Sequence, residues 1–182
     1  MRLTTRKIVV AGMLGAVSII LGLSGLGLIP VPTPAGAVTI MHIPVILGGV
    51  LEGPVVGLLI GLIFGMSSFF RATSVLFADP IIAILPRLLI GVTAYFAYLG
   101  FREKNTSVGL IIAGLVGTVT NTVLVLGLAV FRGYLPYEAA VSVALVHGVP
   151  EAVVAAILVS LVGKAVMMYQ NKNQPVEKNL NK

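Results

Sequence analysis

Cysteine and tryptophan are both missing from the 182-residue chain. Without thiols there is no disulfide framework, thiolate metal site or thiol nucleophile, and compartment cannot be read from redox chemistry. Charge is scarce as well: Asp and Glu number 6, Lys and Arg 12, together 10% of the residues against 58% hydrophobic. A soluble domain carries about 25% charged residues, so this composition cannot cover a water-facing surface. A mean hydropathy of +1.09 agrees. The bilayer is the solvent. With 58% of 182 residues apolar and roughly 20 needed per spanning helix, the chain has material for five or six crossings and almost nothing for a soluble domain.

Several catalytic signatures are also lacking. No GxxxxGK[ST] phosphate loop is present: Gly163 and Lys164 are followed by Ala165 and lack the upstream glycine, so the chain does not hydrolyse ATP by itself. No GxSxG elbow stands out. His42, His147 and Glu151 are types that bind zinc, but there is no HExxH and no tight ligand cluster, so neither a metal nor a cofactor is expected. The formal charge of +6 does not indicate nucleic acid, which calls for Lys and Arg clustered with aromatics on an exposed face. Here the cations lie between apolar runs.

What is present is a series of six apolar runs, predicting helices at about 8–28, 38–51, 55–70, 80–99, 107–131 and 137–168 in one membrane domain, with a polar tail at 169–182. The first run is of spanning length and is not followed by a small-residue cleavage site and a polar mature domain, so it reads as an uncleaved helix. Glu52, Gly53 and Pro54 separate the second and third runs, a turn signal that favours a tight helical hairpin over one long kinked helix. Residues 29–37, with Pro30, Pro32, Pro34 and Gly36, predict an extended outer loop. No internal repeat is visible, so the inverted-repeat plan of many secondary transporters gains no support.

Orientation follows from Lys and Arg at the helix ends. With both termini cytoplasmic, the inner segments hold Arg2, Arg6, Lys7, Arg102, Lys104, Lys164, Lys172, Lys178 and Lys182, and the outer loops only Arg71 and Arg132. This bias requires an even number of crossings and favours six. Arg87 belongs to neither group, because it lies inside the fourth run.

Two small-residue patterns bear on packing. Ala11 and Gly15, and Gly12 and Ala16, form adjacent small-xxx-small ridges on the first helix; they suit either packing within the chain or docking of another membrane protein. Gly57, Gly61 and Gly65 make a double GxxxG on the third helix, read as a narrow face for a buried helix.

Ionisable groups at membrane depth are costly and therefore candidates for function. His42, Arg87, Asn121 and His147 come from four different helices, and at 1.5 Å per residue they lie roughly 6 to 15 Å below the outer boundary. Glu151 lies deeper, about 21 Å, four residues after His147 and on the same face. Their clustering in the outer half predicts a small-molecule pocket open to the outside and roofed by the Pro-rich loop. It does not predict a pore or proton wire, which would continue to the inner face. Arg87 keeps its charge and offers a planar donor fork suited to carboxylate or phosphate. It serves either an anionic ligand or an ion pair with Asp79 or Glu151. His147 and Glu151 either contact ligand or pair with each other.

In these residues the chain resembles the substrate-binding S components of energy-coupling factor (ECF) vitamin transporters. The resemblance covers about residues 1–168. It rests on the basic N-terminus before Gly12-Met13-Leu14-Gly15-Ala16, on Thr39-Ile40-Met41-His42-Ile43-Pro44, and on Leu51-Glu52-Gly53-Pro54 with Gly57 and Gly61. It continues in Ile84-Leu85-Pro86-Arg87-Leu88 and in His147-Gly148-Val149-Pro150-Glu151-Ala152. It implies an all-α bundle of six membrane helices with both termini inside and a vitamin pocket near the outer face. It further implies docking on a membrane coupling (T) protein driven by two cytoplasmic ATP-binding-cassette ATPases, and toppling of the whole subunit in the bilayer during transport. The family's docking motif has two alanines four apart; here Ala11/Gly15 and Gly12/Ala16 each substitute one glycine.

The segment around His42 and the Pro86-Arg87 pair most resemble the pantothenate-specific subgroup. Pantothenate combines a carboxylate with hydroxyl and amide groups, which suits Arg87 for the charge and His42 and Asn121 for the polar arm, with His147, Glu151 and Tyr95 completing the candidate ligand site. Pyridoxine and hydroxymethylpyrimidine are the alternative substrates. From other classes, the alternatives are a membrane enzyme using His147 and Glu151 as acid and base, and a self-sufficient secondary transporter.

Overall fold

The computed structural model describes residues 3–30, 37–72 and 74–172. Most of the Pro-rich run, at 31–36, and the end of the polar tail lie outside the described residues. The chain is helical almost throughout, and each helix boundary has a local cause.

Helix α1 (Thr5–Ser24) is capped by the Thr4 hydroxyl accepting from the Lys7 amide, and it ends where Gly25 turns left-handed at φ 73°. The spanning helix expected at 8–28 therefore stops four residues early. Instead, β1 (Leu28–Pro30) pairs antiparallel with β2 (Ala37–Thr39), Leu28 opposite Thr39 and Pro30 opposite Ala37. The described ends of the expected outer loop are thus a short hairpin, and the second helix begins at Ile43 rather than 38. Strands of three residues carry too little alternation to be seen in sequence.

Helix α2 (Ile43–Glu52) is followed after Gly53 alone by α3 (Pro54–Arg71). Gly53 has φ 105° and donates its amide to the Gly49 carbonyl, a conformation open to glycine, and Pro54 then starts the next helix. The two form a hairpin. At 10 residues, α2 is about 15 Å long, half a hydrocarbon core. Ile43 through Val50 are all buried. A helix apolar on every side belongs in a core, and α2 is the post around which the longer helices stand. Non-helical backbone leading into it is tolerated at membrane depth because protein surrounds it.

A 3-10 turn (Val75–Ala78) leads to α4 (Pro80–Arg102), capped by Asp79 accepting from the Ile81 amide. Helix α5 (Thr106–Phe131) is capped by Asn105. The last run begins as α6 (Tyr137–Val143), widens into a π turn (Ala144–Gly148) and continues as α7 (Val149–Lys172). These three form one continuous helical run, so there are six helical segments among the described residues, five of which are long and apolar enough to cross a membrane.

The glycine ladder on α3 serves α4. A Cβ on Gly57 would come within 2.9 Å of both Gly49 Cα and Gly91 Cα, and one on Gly65 within 2.9 Å of Ile84 Cα. At Gly61 it would run into the Arg87 carbonyl. Close backbone approach of α3 and α4 holds the base of Arg87 in place. On α1 the two ridges separate: Ala11 and Gly15 are buried, with Gly15 against Ile63, whereas Gly12 and Ala16 are exposed.

Candidate functional site

A cavity of about 580 Å³ opens among α3, α4, α5, α7, the 3-10 turn and the approach to α2. That is within the range of about 300 to 1,000 Å³ usual for small-molecule sites. Its wall includes His42, Arg87, Asn121, His147 and Glu151, so tertiary packing brings together five of the six ligand candidates. Tyr95 is not in the wall. It lies eight residues along α4 from Arg87, about 12 Å, with its ring edge-on to Phe96 at 5.4 Å between centroids.

Arg87 is held by its neighbour in sequence. Pro86 has no amide hydrogen, so the carbonyl of Ile82, four residues earlier, loses its usual helical partner. Arg87 Nη1 donates to that carbonyl at 2.8 Å. The guanidinium also lies over Phe77 at 4.6 Å and Phe64 at 5.6 Å from the ring centroids, cation–π contacts that partly offset desolvation. Arg87 is only 4% exposed, its Nε has no hydrogen-bond partner, and among the described residues no carboxylate pairs with it. An ion pair with Asp79 or Glu151 is therefore overturned.

Both of those carboxylates are engaged elsewhere. Asp79 accepts from Arg132 Nε at 2.8 Å and from the Tyr134 hydroxyl at 3.4 Å. Burial by itself would raise the Asp79 pKa, but the Arg132 hydrogen bond and the Ile81 amide outweigh it and hold the carboxyl below its ordinary value. Glu151 Oε1 accepts from the Thr39 amide at 2.9 Å and the Thr39 hydroxyl at 2.8 Å. It thus ties α7 to β2 rather than to His147. His147 and Glu151 still line the same cavity four residues apart, but Thr39 takes the carboxylate oxygen that the pairing needed.

His42 is 1% exposed, and its Nε2 is 2.9 Å from the Thr118 hydroxyl oxygen on α5. Asn121, one turn further along α5, has a buried Oδ1 without a partner among the described residues. The cavity also contains residues that sequence reasoning missed. Arg71, counted as an outer-loop topology marker, lines the wall with Nε buried and unpartnered among the described residues, while Nη1 donates to the Gly22 carbonyl. Ser68 stands out in sequence only as a polar residue on an apolar helix. Phe64 and Phe77 carry no signal that separates a cavity wall from a core.

The site has guanidinium donors on α3 and α4, acceptors on α5 and α7, and no grouping of three or more metal-ligating side chains among the described residues. A buried cation with an unspent donor, in a solute-sized cavity inside a bundle of helices apolar enough to cross a membrane, is the arrangement of a membrane protein with a cavity suited to a small anionic or polar molecule. The chain matches the family described as the substrate-specific component of ECF transporters over residues 6–163, and it belongs to that family. It is a multi-pass membrane component of that family. It is similar to the pantothenic acid transporter PanT of Lactococcus lactis subsp. cremoris (strain MG1363), 37% identical over a 108-residue alignment covering 48% of this chain and 54% of the relative. The chain spans about half the length of that relative. The fold is similar to a solved S component of a bacterial ECF transporter, with a TM-score of 0.57 and 22% identity over 91% of this chain and 94% of the other.

Proposed function

We propose that the chain captures pantothenate on the outer side of the membrane and delivers it through a coupling module consisting of a membrane T protein and two ATP-binding-cassette ATPases. The observation that carries this reading is Arg87: a buried guanidinium with Nε unspent and no carboxylate partner among the described residues, in the wall of a cavity. A buried unpaired charge is expensive, and a carboxylate ligand would relieve that cost. The PanT relative supports pantothenate among carboxylate-bearing vitamins. His42, Asn121, His147 and Glu151 then serve the hydroxyl and amide arm.

Both termini face the cytoplasm in this reading. Arg6 bonds Glu52 at 2.9 Å at one end of the bundle, the end to which the strongly basic segments belong, while Arg71 and Arg132 lie at the other. The exposed Gly12–Ala16 ridge is the surface offered to the T protein, since Ala11 and Gly15 are spent on packing inside the chain. Toppling on that partner carries the occupied cavity inward.

The test is to purify the protein in detergent, extract what it carries and identify it by mass spectrometry, then titrate the emptied protein with pantothenate by calorimetry. Recovery of pyridoxine or a pyrimidine, or absence of pantothenate binding, overturns the assignment.

A further inference from the structure

His42 serves the polar arm of the solute as either donor or acceptor, and a hydrogen-bond relay beside the cavity decides which. Thr118 Oγ1 donates to the Gly114 carbonyl at 2.9 Å, one turn back on α5. A hydroxyl has one hydrogen to give. With that hydrogen on Gly114, Oγ1 meets His42 Nε2 as an acceptor at 2.9 Å, and Nε2 must carry a hydrogen. In a neutral imidazole the other nitrogen, Nδ1, then presents a lone pair. His42 sits at the N-terminal boundary of α2 without a side-chain capping bond, and no described residue hydrogen-bonds Nδ1. Since Nε2 is engaged with α5, Nδ1 is the polar atom the ring has left for the cavity it lines.

We propose that the Thr118–Gly114 relay fixes the His42 tautomer, making His42 an obligate acceptor that selects solutes with a hydroxyl or amide N–H donor at that point. This inference rests on the solute site proposed above and deepens it. Asn121 Oδ1, buried and unpartnered three residues beyond Thr118, is a second acceptor on α5. The cavity is therefore polarised, with guanidinium donors for the anionic end of the solute and fixed acceptors for its other arm. An analogue whose donor is methylated sets an ether oxygen or an N-methyl group against a lone pair and leaves a buried polar atom unpaired. Thr118 acts through His42 and is a positioning residue.

Two measurements test this. In ligand-free protein labelled with 15N-histidine, with the His42 signals identified by their loss in His42→Gln, the expected pattern is protonated Nε2 and unprotonated Nδ1 at neutral pH. Thr118→Ser should keep that pattern and Thr118→Val should shift population toward the Nδ1–H form. An Nδ1–H ring or an imidazolium in the wild-type protein overturns the proposal without reference to any ligand. In calorimetry with pantothenate, its two mono-O-methyl ethers and its N-methyl amide, at least one analogue should bind the wild type about tenfold or more weaker. That preference should persist in Thr118→Ser and shrink toward unity in Thr118→Val. Discrimination absent from the wild type, or unchanged in Thr118→Val, overturns the proposal. If Thr118→Val does not fold, the wild-type tautomer and analogue series still decide it. Failure of pantothenate to bind the wild type at all defeats the substrate assignment instead, and the tautomer measurement stands apart from that result.

Discussion

Arg87 donates to the carbonyl of Ile82 across five residues of its own helix at 2.8 Å. The helix leaves that acceptor free because residue 86 is proline. The Pro86-Arg87 pair is thus a small device in which one residue creates the anchor that orients the next. It presents a buried charge to the cavity without, among the described residues, the carboxylate partner that would neutralise it.

Restoring the missing amide with Pro86→Ala should return Ile82 to the helical ladder and release the guanidinium. We expect pantothenate affinity to fall about tenfold, the order of one hydrogen bond to a charged group, without loss of thermal stability in detergent. Calorimetry alongside a melting scan checks this, and unchanged affinity would show that Arg87 needs no such tether.

Removing the charge is a harsher change. Arg87→Ala should weaken pantothenate binding by about 100-fold or more, and Arg87→Lys should recover only part of that, because an ammonium lacks the planar fork that engages a carboxylate through two donors. Full recovery by lysine would reduce Arg87 to a point charge. Retained affinity in the alanine variant would remove Arg87 from the site altogether.

The Asp79–Arg132 pair predicts a pH dependence. Because the folded-state pKa of Asp79 is lowered, its contribution to stability is present above the unfolded value of about 3.9 and is lost as pH falls through the folded value. Asp79→Asn should therefore melt below the wild type at neutral pH, and the two curves should converge on acidification below about pH 4. Parallel melting curves across the whole range would contradict this. The pair clamps the entrance of α4 to the end of α5, beside the turn that supplies Phe77 to Arg87, so the variant should also lose some pantothenate affinity.

The two ridges on α1 should respond oppositely to the same substitution. Gly15→Leu drives a side chain into Ile63 and should destabilise the fold by about 1–3 kcal/mol, the cost of overpacking. At Gly12 an added Cβ meets nothing within 4 Å, so Gly12→Leu should leave pantothenate binding intact while abolishing uptake in vesicles that contain the coupling module. Normal uptake by Gly12→Leu would place the docking surface elsewhere.

Much was legible before any coordinates. A chain with 10% charged residues has only one solvent available to it, and the apolar runs count its helical segments. The intramembrane polar residues stood out because each is costly in lipid, so their appearance in four separate helices implied a shared destination. The π turn at His147, the β1–β2 hairpin and the role of Arg71 were not legible. The first two depend on hydrogen bonds that leave no periodic trace in a few residues. Arg71 has the composition of an ordinary loop cation, and only the packing of α1 and α3 turns it toward the cavity.

By itself the sequence determined the solvent, the number of helical segments, the family and the intramembrane cation that lines the cavity, because solvation and helix length are local, additive properties of the chain. Only the tertiary structure decided the partners: Asp79 with Arg132, Glu151 with Thr39, His42 with Thr118, and Arg87 with no carboxylate at all among the described residues. A hydrogen bond or ion pair is set by a few tenths of an ångström between groups as many as 112 positions apart. No local pattern encodes that distance until the helices have packed.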